Sequence, residues 1–286
     1  MRIGMLMVKH PADRKSPIMP EVIGLLRRRG AAVEVLYPDE SVTDLSGVRV
    51  EHDLYVLKSG TDRALSVAGA LHAQGAVILN PYPMAAALRD KVVATRVLQA
   101  AGVPVPETWL AGSATELAPF LEGGALVVKP YRGSQGRGVQ VVRTAAELAA
   151  IPPQEGLVFA QRHHAPDEPD CKLYCVGERV FGVSRIWPPR TYQDKLGKPR
   201  QVSRDLEEIV LRCGRAFGVE LFGVDVVMSA GRPWVVDMQG FPGFKGVPDA
   251  AQHLARVIFG AARGAAVFRS GSDGRGQQIR GATEVS

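Results

Sequence analysis

Nowhere in its 286 residues does the chain carry an apolar run of the ~18 to 20 residues that a bilayer span needs. The short apolar stretch in MRIGMLMVKHPADRK suits a first strand rather than a signal peptide, so a cytoplasmic protein that meets no membrane is expected. Cysteine is scarce and odd in number, at three, which argues against a disulfide framework and suits a reducing compartment. Cys171 and Cys175 lie four apart on a predicted strand downstream of His163 and His164, but a CxxC-like turn is missing, so they read as buried thiols rather than zinc ligands. Helix-turn-helix, zinc-finger and RNA-sheet signatures are missing too. The net charge of +6 therefore asks for an anionic partner without pointing to specific nucleic acid. Arg27, Arg28 and Arg29 close a helix before Gly30, where the helix dipole alone favours basic residues. There is no Walker motif, no dinucleotide fingerprint and no internal repeat.

What is present is an ordinary globular composition, 46% hydrophobic and 22% charged, long enough for two or three small cores. Strand and helix patterns alternate over the first 80 residues: strands at 3–8, 33–37, around Val56 and at 76–79, and helices at about 20–29 and 63–73. That spacing predicts βαβ units and a mostly parallel sheet, with Gly30 and Gly75 at helix C-caps. Two short helical stretches follow, and Pro104–Pro106 marks a boundary. Ser113 with Glu116, and Thr144 with Glu147, have capping-box spacing. The expected division is 1–103 as an N-terminal α/β unit, 104–162 and 163–262 as two further subdomains, and 263–286 as a loose Gly/Ser/Arg tail after a helix ending near Phe259.

ALVVKPYRGSQGRGV sets Lys129 at the end of an apolar strand, before a loop holding Gly133, Gly136 and Gly138 that returns into another strand. Glycines let backbone N–H groups turn toward an anion, and Lys adds a mobile charge, so the unit suits nucleotide phosphates; a mobile hairpin with a solvated Lys stays open. In FGVDVVMSAGRPWVVDMQGFPGF, Asp237 and Gln239 project from one sheet face, and a hairpin can bring Asp225 beside them. Two carboxylates and an amide oxygen converging on apolar strands suit Mg²⁺ or Mn²⁺ bridged to phosphates. Aspartates exposed at the sheet rim are the alternative.

Together these stretches resemble the ATP-grasp superfamily from about Asn80 to Phe259, so an ATP-grasp fold preceded by an N-terminal parallel-sheet α/β domain is expected. The resemblance implies phosphate contacts from Lys91 and Lys129, and a lid formed by Arg132, Gly133, Ser134, Gln135, Gly136, Arg137 and Gly138. It also implies adenine held by backbone around Ala160, Gln161 and Arg162, and a paired Asp170 and Lys172 with the Lys facing the phosphates. Asp225, Asp237 and Gln239 fall on the metal-ligand positions, although the family's usual close is Glu-x-Asn and this chain has Asp-x-Gln.

The resemblance divides on the reaction. GSQGRGV and RDKVVATRVLQAAGVPVPET look like carboxylate–amine ligases of the glutathione-synthetase and ribosomal-protein-glutamate-ligase kind, whereas KLYCVGERV and VVDMQGFPGFKGVPD look like inositol polyphosphate kinases of the same fold. The ligase reading implies ATP and Mg²⁺ acting through an acyl phosphate on a small-molecule or peptide substrate bearing carboxylate or phosphate. Lys172 and Arg185 are its candidate catalytic groups, Arg185 clamping the substrate anion unless it is only a surface residue at a strand end. The kinase reading gives the basic insert, with Arg190, Lys195, Lys198 and Arg200, to a polyphosphorylated acceptor, or leaves it a solvated loop. A nucleotide-binding module without turnover is a third reading, and a homo-oligomer is left open.

Overall fold

The N-terminal alternation of strand and helix folds as a parallel sheet. The computed structural model describes residues 1–9, 16–131, 138–152, 156–185 and 196–278. In it β1 (Arg2–Leu6), β2 (Ala32–Leu36), β3 (Leu54–Leu57) and β4 (Ile78–Leu79) lie in the order β2-β1-β3-β4, every pairing parallel. Helix α1 (Ile18–Arg28) buries Met19, Val22 and Leu26, one stripe at helical spacing. Helix α2 (Asp62–Ala73) starts at Thr61, whose hydroxyl accepts from the Ala64 N–H. Both helices end before glycines of positive φ, Gly30 and Gly75, as their C-caps predict.

After α3 (Tyr82–Ala87) comes α4 (Lys91–Ala100), capped by Asp90. Its buried residues Ala94 and Leu98 join the core beneath the last sheet, not that of the parallel sheet. The middle unit is the antiparallel sheet β5-β8-β6-β7, built from β5 (Thr108–Ala111), β6 (Leu126–Pro130), β7 (Gln140–Val142) and β8 (Val158–Arg162). It packs on α5 (Ala145–Ala149) and on a 3₁₀ helix at Ala114–Gly123. Thr144 and Glu147 form the expected capping box. Ser113 does not cap: its hydroxyl donates to the Glu116 carboxylate, and Pro119, lacking an N–H, sits inside a segment that winds as 3₁₀ turns.

The third sheet, β11-β10-β9-β12-β13, is antiparallel throughout. Its strands are β9 (Asp170–Val176), β10 (Arg179–Arg185), β11 (Lys198–Arg200), β12 (Leu221–Ser229) and β13 (Arg232–Gly240), and α6 (Arg204–Phe217) covers one face. The last helix, α7 (Ala250–Gln278), departs from the expectation of a stop near Phe259 and a loose tail from 263. Leu254, Ala255, Ile258, Ala262 and Ala265 are all buried at three- and four-residue steps, so the apolar stripe runs through the point where Gly, Ser and Arg become frequent. That stripe packs with Ile3, Met5, Val22 and Leu26, so the end of the chain closes the core of its beginning. Among the described residues no helix is long and apolar enough to cross a membrane.

Candidate active site

The acidic residues of the last hairpin meet because of register. Asp225 on β12 and Asp237 on β13 are direct cross-strand partners, with an irregularity between Asp225 and Val226. Gln239 lies two residues on, and its amide nitrogen donates to the Asp237 carboxylate at 3.0 Å. On the other side of β12 the partner of Asp225 is Lys172. Its ammonium reaches both carboxylate oxygens, at 2.7 and 2.8 Å, with only 4% of its side chain exposed. The sequence places Lys172 facing phosphate; the structure gives its charge first to Asp225. Asp225 and Asp237 side by side, with an amide one strand step away, are hard oxygen donors of the kind a divalent cation takes, so the donor set fits Mg²⁺. Among the described residues no three His, Cys, Asp or Glu side chains group as a metal site, so any cation here would draw on Gln239, water or substrate oxygen for its remaining ligands.

Lys129 reaches this hairpin from the middle sheet. Its Nζ donates to the Gln161 side-chain oxygen at 2.7 Å and to the Val236 carbonyl at 3.0 Å, one residue from Asp237. Burial holds its ammonium below the ordinary lysine range, and the charges of Asp237 and Asp225 work against that shift. Lys91, the first residue of α4, is likewise lowered by burial and opposed first by Asp237; it donates to the Tyr131 carbonyl at 3.2 Å. Lys129, Lys91, Asp225 and Asp237 therefore share one electrostatic site where β6, α4 and β13 converge. Beside them a crevice is lined by Leu98, Phe159 and Met238, with Lys91, Thr95, Gln161 and Asp237 as its polar side chains.

Other expected residues fare differently. Arg132, Gly133, Ser134, Gln135, Gly136 and Arg137 lie outside the described residues. Gly138, which follows them, has φ +72°, and a Cβ there would stand 2.8 Å from the Pro130 ring, so this position requires glycine. The backbone around Ala160, Gln161 and Arg162 is committed to the ladders of β5 and β6, with the Arg162 N–H given to the Glu107 carbonyl. An adenine edge would find these groups occupied, because β8 is an interior strand. The Arg162 side chain holds the subdomain together, through Glu107 at 3.2 Å and the carbonyls of Phe120 and Gly124. Asp170 and Arg185 are register partners at the open ends of β9 and β10. The Arg185 guanidinium donates to the Tyr174 hydroxyl, while its buried Nε has no hydrogen-bond partner among the described residues. Burial pushes the Tyr174 phenol up to about 12. Lys198 and Arg200 of the basic insert form β11, where Arg200 meets Glu168 at 3.4 Å; Arg190 and Lys195 lie outside the described residues.

Sequence reasoning missed three contributors. The Tyr131 hydroxyl donates to Asp90 at 2.5 Å, tying the cap of α4 to the residue two beyond Lys129. His164 stacks on Trp234, 3.9 Å between ring centroids, fixing the stretch after β8 to the hairpin. Lys58, at the end of β3, donates to the Phe241 carbonyl at 3.1 Å. Asp90 in RDK and Tyr131 in KPYRG stood beside residues already singled out, but partners 41 positions apart leave no local signal.

The family described as RimK-like ATP-grasp domain matches residues 88–258. A probable alpha-L-glutamate ligase 2 of Shewanella frigidimarina is 29% identical over 178 residues, 57% of this chain and 60% of that protein. A probable alpha-L-glutamate ligase of Serratia proteamaculans is 27% identical over 250 residues, 77% of this chain and 82% of the relative. The crystal structure of a RimK domain protein ATP-grasp from Sphaerobacter thermophilus superposes with a TM-score of 0.69 at 20% identity, covering 90% of this chain and 99% of the other.

Proposed function

The chain belongs to the RimK-like ATP-grasp family and is an ATP-dependent carboxylate–amine ligase, and from that premise we propose that it works through an acyl phosphate formed between β6 and the β12–β13 hairpin. The observation that carries the proposal is the reach of Lys129 across the two sheets to Val236, next to the paired Asp225 and Asp237. A carboxylate oxygen of the acid attacks the γ-phosphorus and ADP leaves; the amine then attacks the acyl carbon and inorganic phosphate leaves. No protein nucleophile is needed, because the barrier falls by positioning and by stabilising charge on the phosphates. Lys129 and Lys91 supply fixed positive charge to that end. Asp225, Asp237 and Gln239 would hold Mg²⁺ or Mn²⁺, which when bound offsets phosphate charge. Lys172 holds the Asp225 carboxylate in place through their ion pair, and Arg185, backed by Tyr174, grips the acid substrate. The crevice beside Phe159 and Met238 takes the adenine, in place of the ladder-bound backbone of 160–162. The relatives are named for L-glutamate ligation, so L-glutamate is the first amine to try. Buried free thiols suit a reducing cytoplasm.

The test is an incubation with MgATP, L-glutamate and pooled acids or peptides, following ADP, inorganic phosphate and amide mass together. Ligation gives all three in equal amounts. ADP with phosphate retained on an acceptor would instead mean kinase chemistry, and no ADP with any pool would mean binding without turnover. Asp237→Asn should abolish turnover with the melting temperature little changed; an active variant would remove the metal assignment. ATP should protect the native chain against heat, and Lys129→Met much less so.

A further inference from the structure

Opposite the stripe that α7 buries, the helix turns a face of one sign of charge to solvent. From Ala250 to Val267 it holds no Asp or Glu, while Arg256 and Arg263, two turns apart on that face, are both exposed. His253 and Phe259 fall on either side of Arg256, and each receives an arginine from another element. Arg29, at the end of α1, sets its guanidinium 5.8 Å from the centre of the Phe259 ring. Arg179, the first residue of β10, lies 5.4 Å from the Phe181 ring and donates to His253 Nδ1 at 3.4 Å. Both arginines are exposed. Three elements thus bring four guanidiniums to one face, and none of them pairs with a carboxylate among the described residues.

The concentration of charge is felt at its centre. Burial first, and then the charges of Arg179 and Arg256, hold His253 below the ordinary histidine range against the opposing charge of Asp249. Like charges gathered in this way repel one another, and an anion laid across them offsets the repulsion. Guanidinium is the cation best shaped for the purpose, because its fork grips a carboxylate with two parallel bonds. Arg29 and Arg179 already rest on rings, so they lose less freedom when a partner arrives. Phe181 and Phe259 each carry a guanidinium and pack against the core, which leaves no open ring face on which bases could stack. The spacing suits an extended chain instead: the two helical turns from Arg256 to Arg263 rise about 10 Å, roughly three residues of a strand.

We propose that Arg29, Arg179, Arg256 and Arg263 form a docking surface for an acidic segment of a polypeptide substrate. The inference rests on the ligase reading, in which the docked chain brings its reacting group to the site between β6 and the β12–β13 hairpin. Arg179 opens β10 and Arg185 ends it, a path of about 20 Å at strand rise. An acidic stretch about six extended residues from the reacting group therefore spans the two.

The test is fluorescence anisotropy on the full chain at ~0.15 M salt, with a labelled oligoglutamate, an oligoglutamine of equal length and an oligothymidylate as probes. Oligoglutamate should bind and oligoglutamine should not. Arg256→Gln with Arg263→Gln should weaken oligoglutamate about ten-fold. Arg49→Gln with Arg96→Gln, equal in net charge and exposed outside this face, should bind like the wild type. Equal melting temperatures and equal binding of an ATP analogue show that each protein has folded. With an acidic peptide as acceptor, the first variant should raise KM and leave kcat unchanged. No binding of oligoglutamate to the wild type, or the same loss in both double variants, overturns the docking surface. Oligothymidylate bound more tightly than the peptide, and lost in the first variant, overturns the peptide and gives the face to nucleic acid. Amide formation with peptide binding unchanged in the first variant would remove the surface and keep the ligase, whereas the expected loss in an enzyme that never forms an amide would do the reverse.

Discussion

A side chain's role in this molecule is set by what lies across the strand from it. Lys172 and Lys129 are both strand lysines, and the sequence assigns both to phosphate. Register puts Asp225 opposite Lys172, so that ammonium is bound to a carboxylate, whereas Lys129 ends on neutral oxygens of Gln161 and Val236. The cysteines show the same dependence on surroundings. Burial pushes Cys175 and Cys213 up to about 12, so near pH 8 both remain thiols, and the thiolate is the reactive form. Iodoacetamide at pH 8 should leave both unmodified in the native protein and label them after denaturation, as read by peptide mass. Rapid labelling of either in the folded chain would contradict the packing described.

At the scale of the element, α4 is the informative case. Asp90 accepts from the N–H groups of Val92 and Val93 and also receives the Tyr131 hydroxyl, so one carboxylate starts the helix, places Lys91 and ties both to the end of β6. Asp90→Ala should lower unfolding free energy by about 1 kcal/mol from the lost cap alone, and by more with the Tyr131 bond gone. Asp90→Ser should recover the cap without the link to Tyr131. Urea midpoints measure both, and an Asp90→Ala protein as stable as the parent would show that the cap is idle. Similar logic applies to β8, an interior strand whose backbone is used up on both edges by β5 and β6.

For the whole molecule, the decisive contact is α7 on α1 and the parallel sheet. One core holds Ile3, Val22 and Leu26 with Leu254, Ile258 and Ala262, and it also reaches Tyr174 and Val176 of the third sheet. The parallel sheet and the third sheet should accordingly melt together. Leu254→Ala, at a fully buried position, should cost about 2 to 5 kcal/mol and shift a single calorimetric transition as a unit. Two resolved transitions, with only one displaced, would show that the N-terminal sheet is independent.

The sequence by itself determined the order and kind of nearly every element, since 3.6- and 2-residue periodicity, caps and turn residues act within a few positions. It also singled out candidate site residues that the fold brings near one another: Lys129 before its glycines, and Asp225, Asp237 and Gln239 on paired strands. Tertiary structure alone decided that Lys172 belongs to Asp225, that the backbone of 160–162 is spent on ladders, that α7 continues past 263, and that Lys58 meets Phe241 across 183 positions. The reason is physical: local propensity is written in neighbours, but burial, register and the counter-charge of an ion come from segments far away in the chain, and they exist only once the sheets have packed.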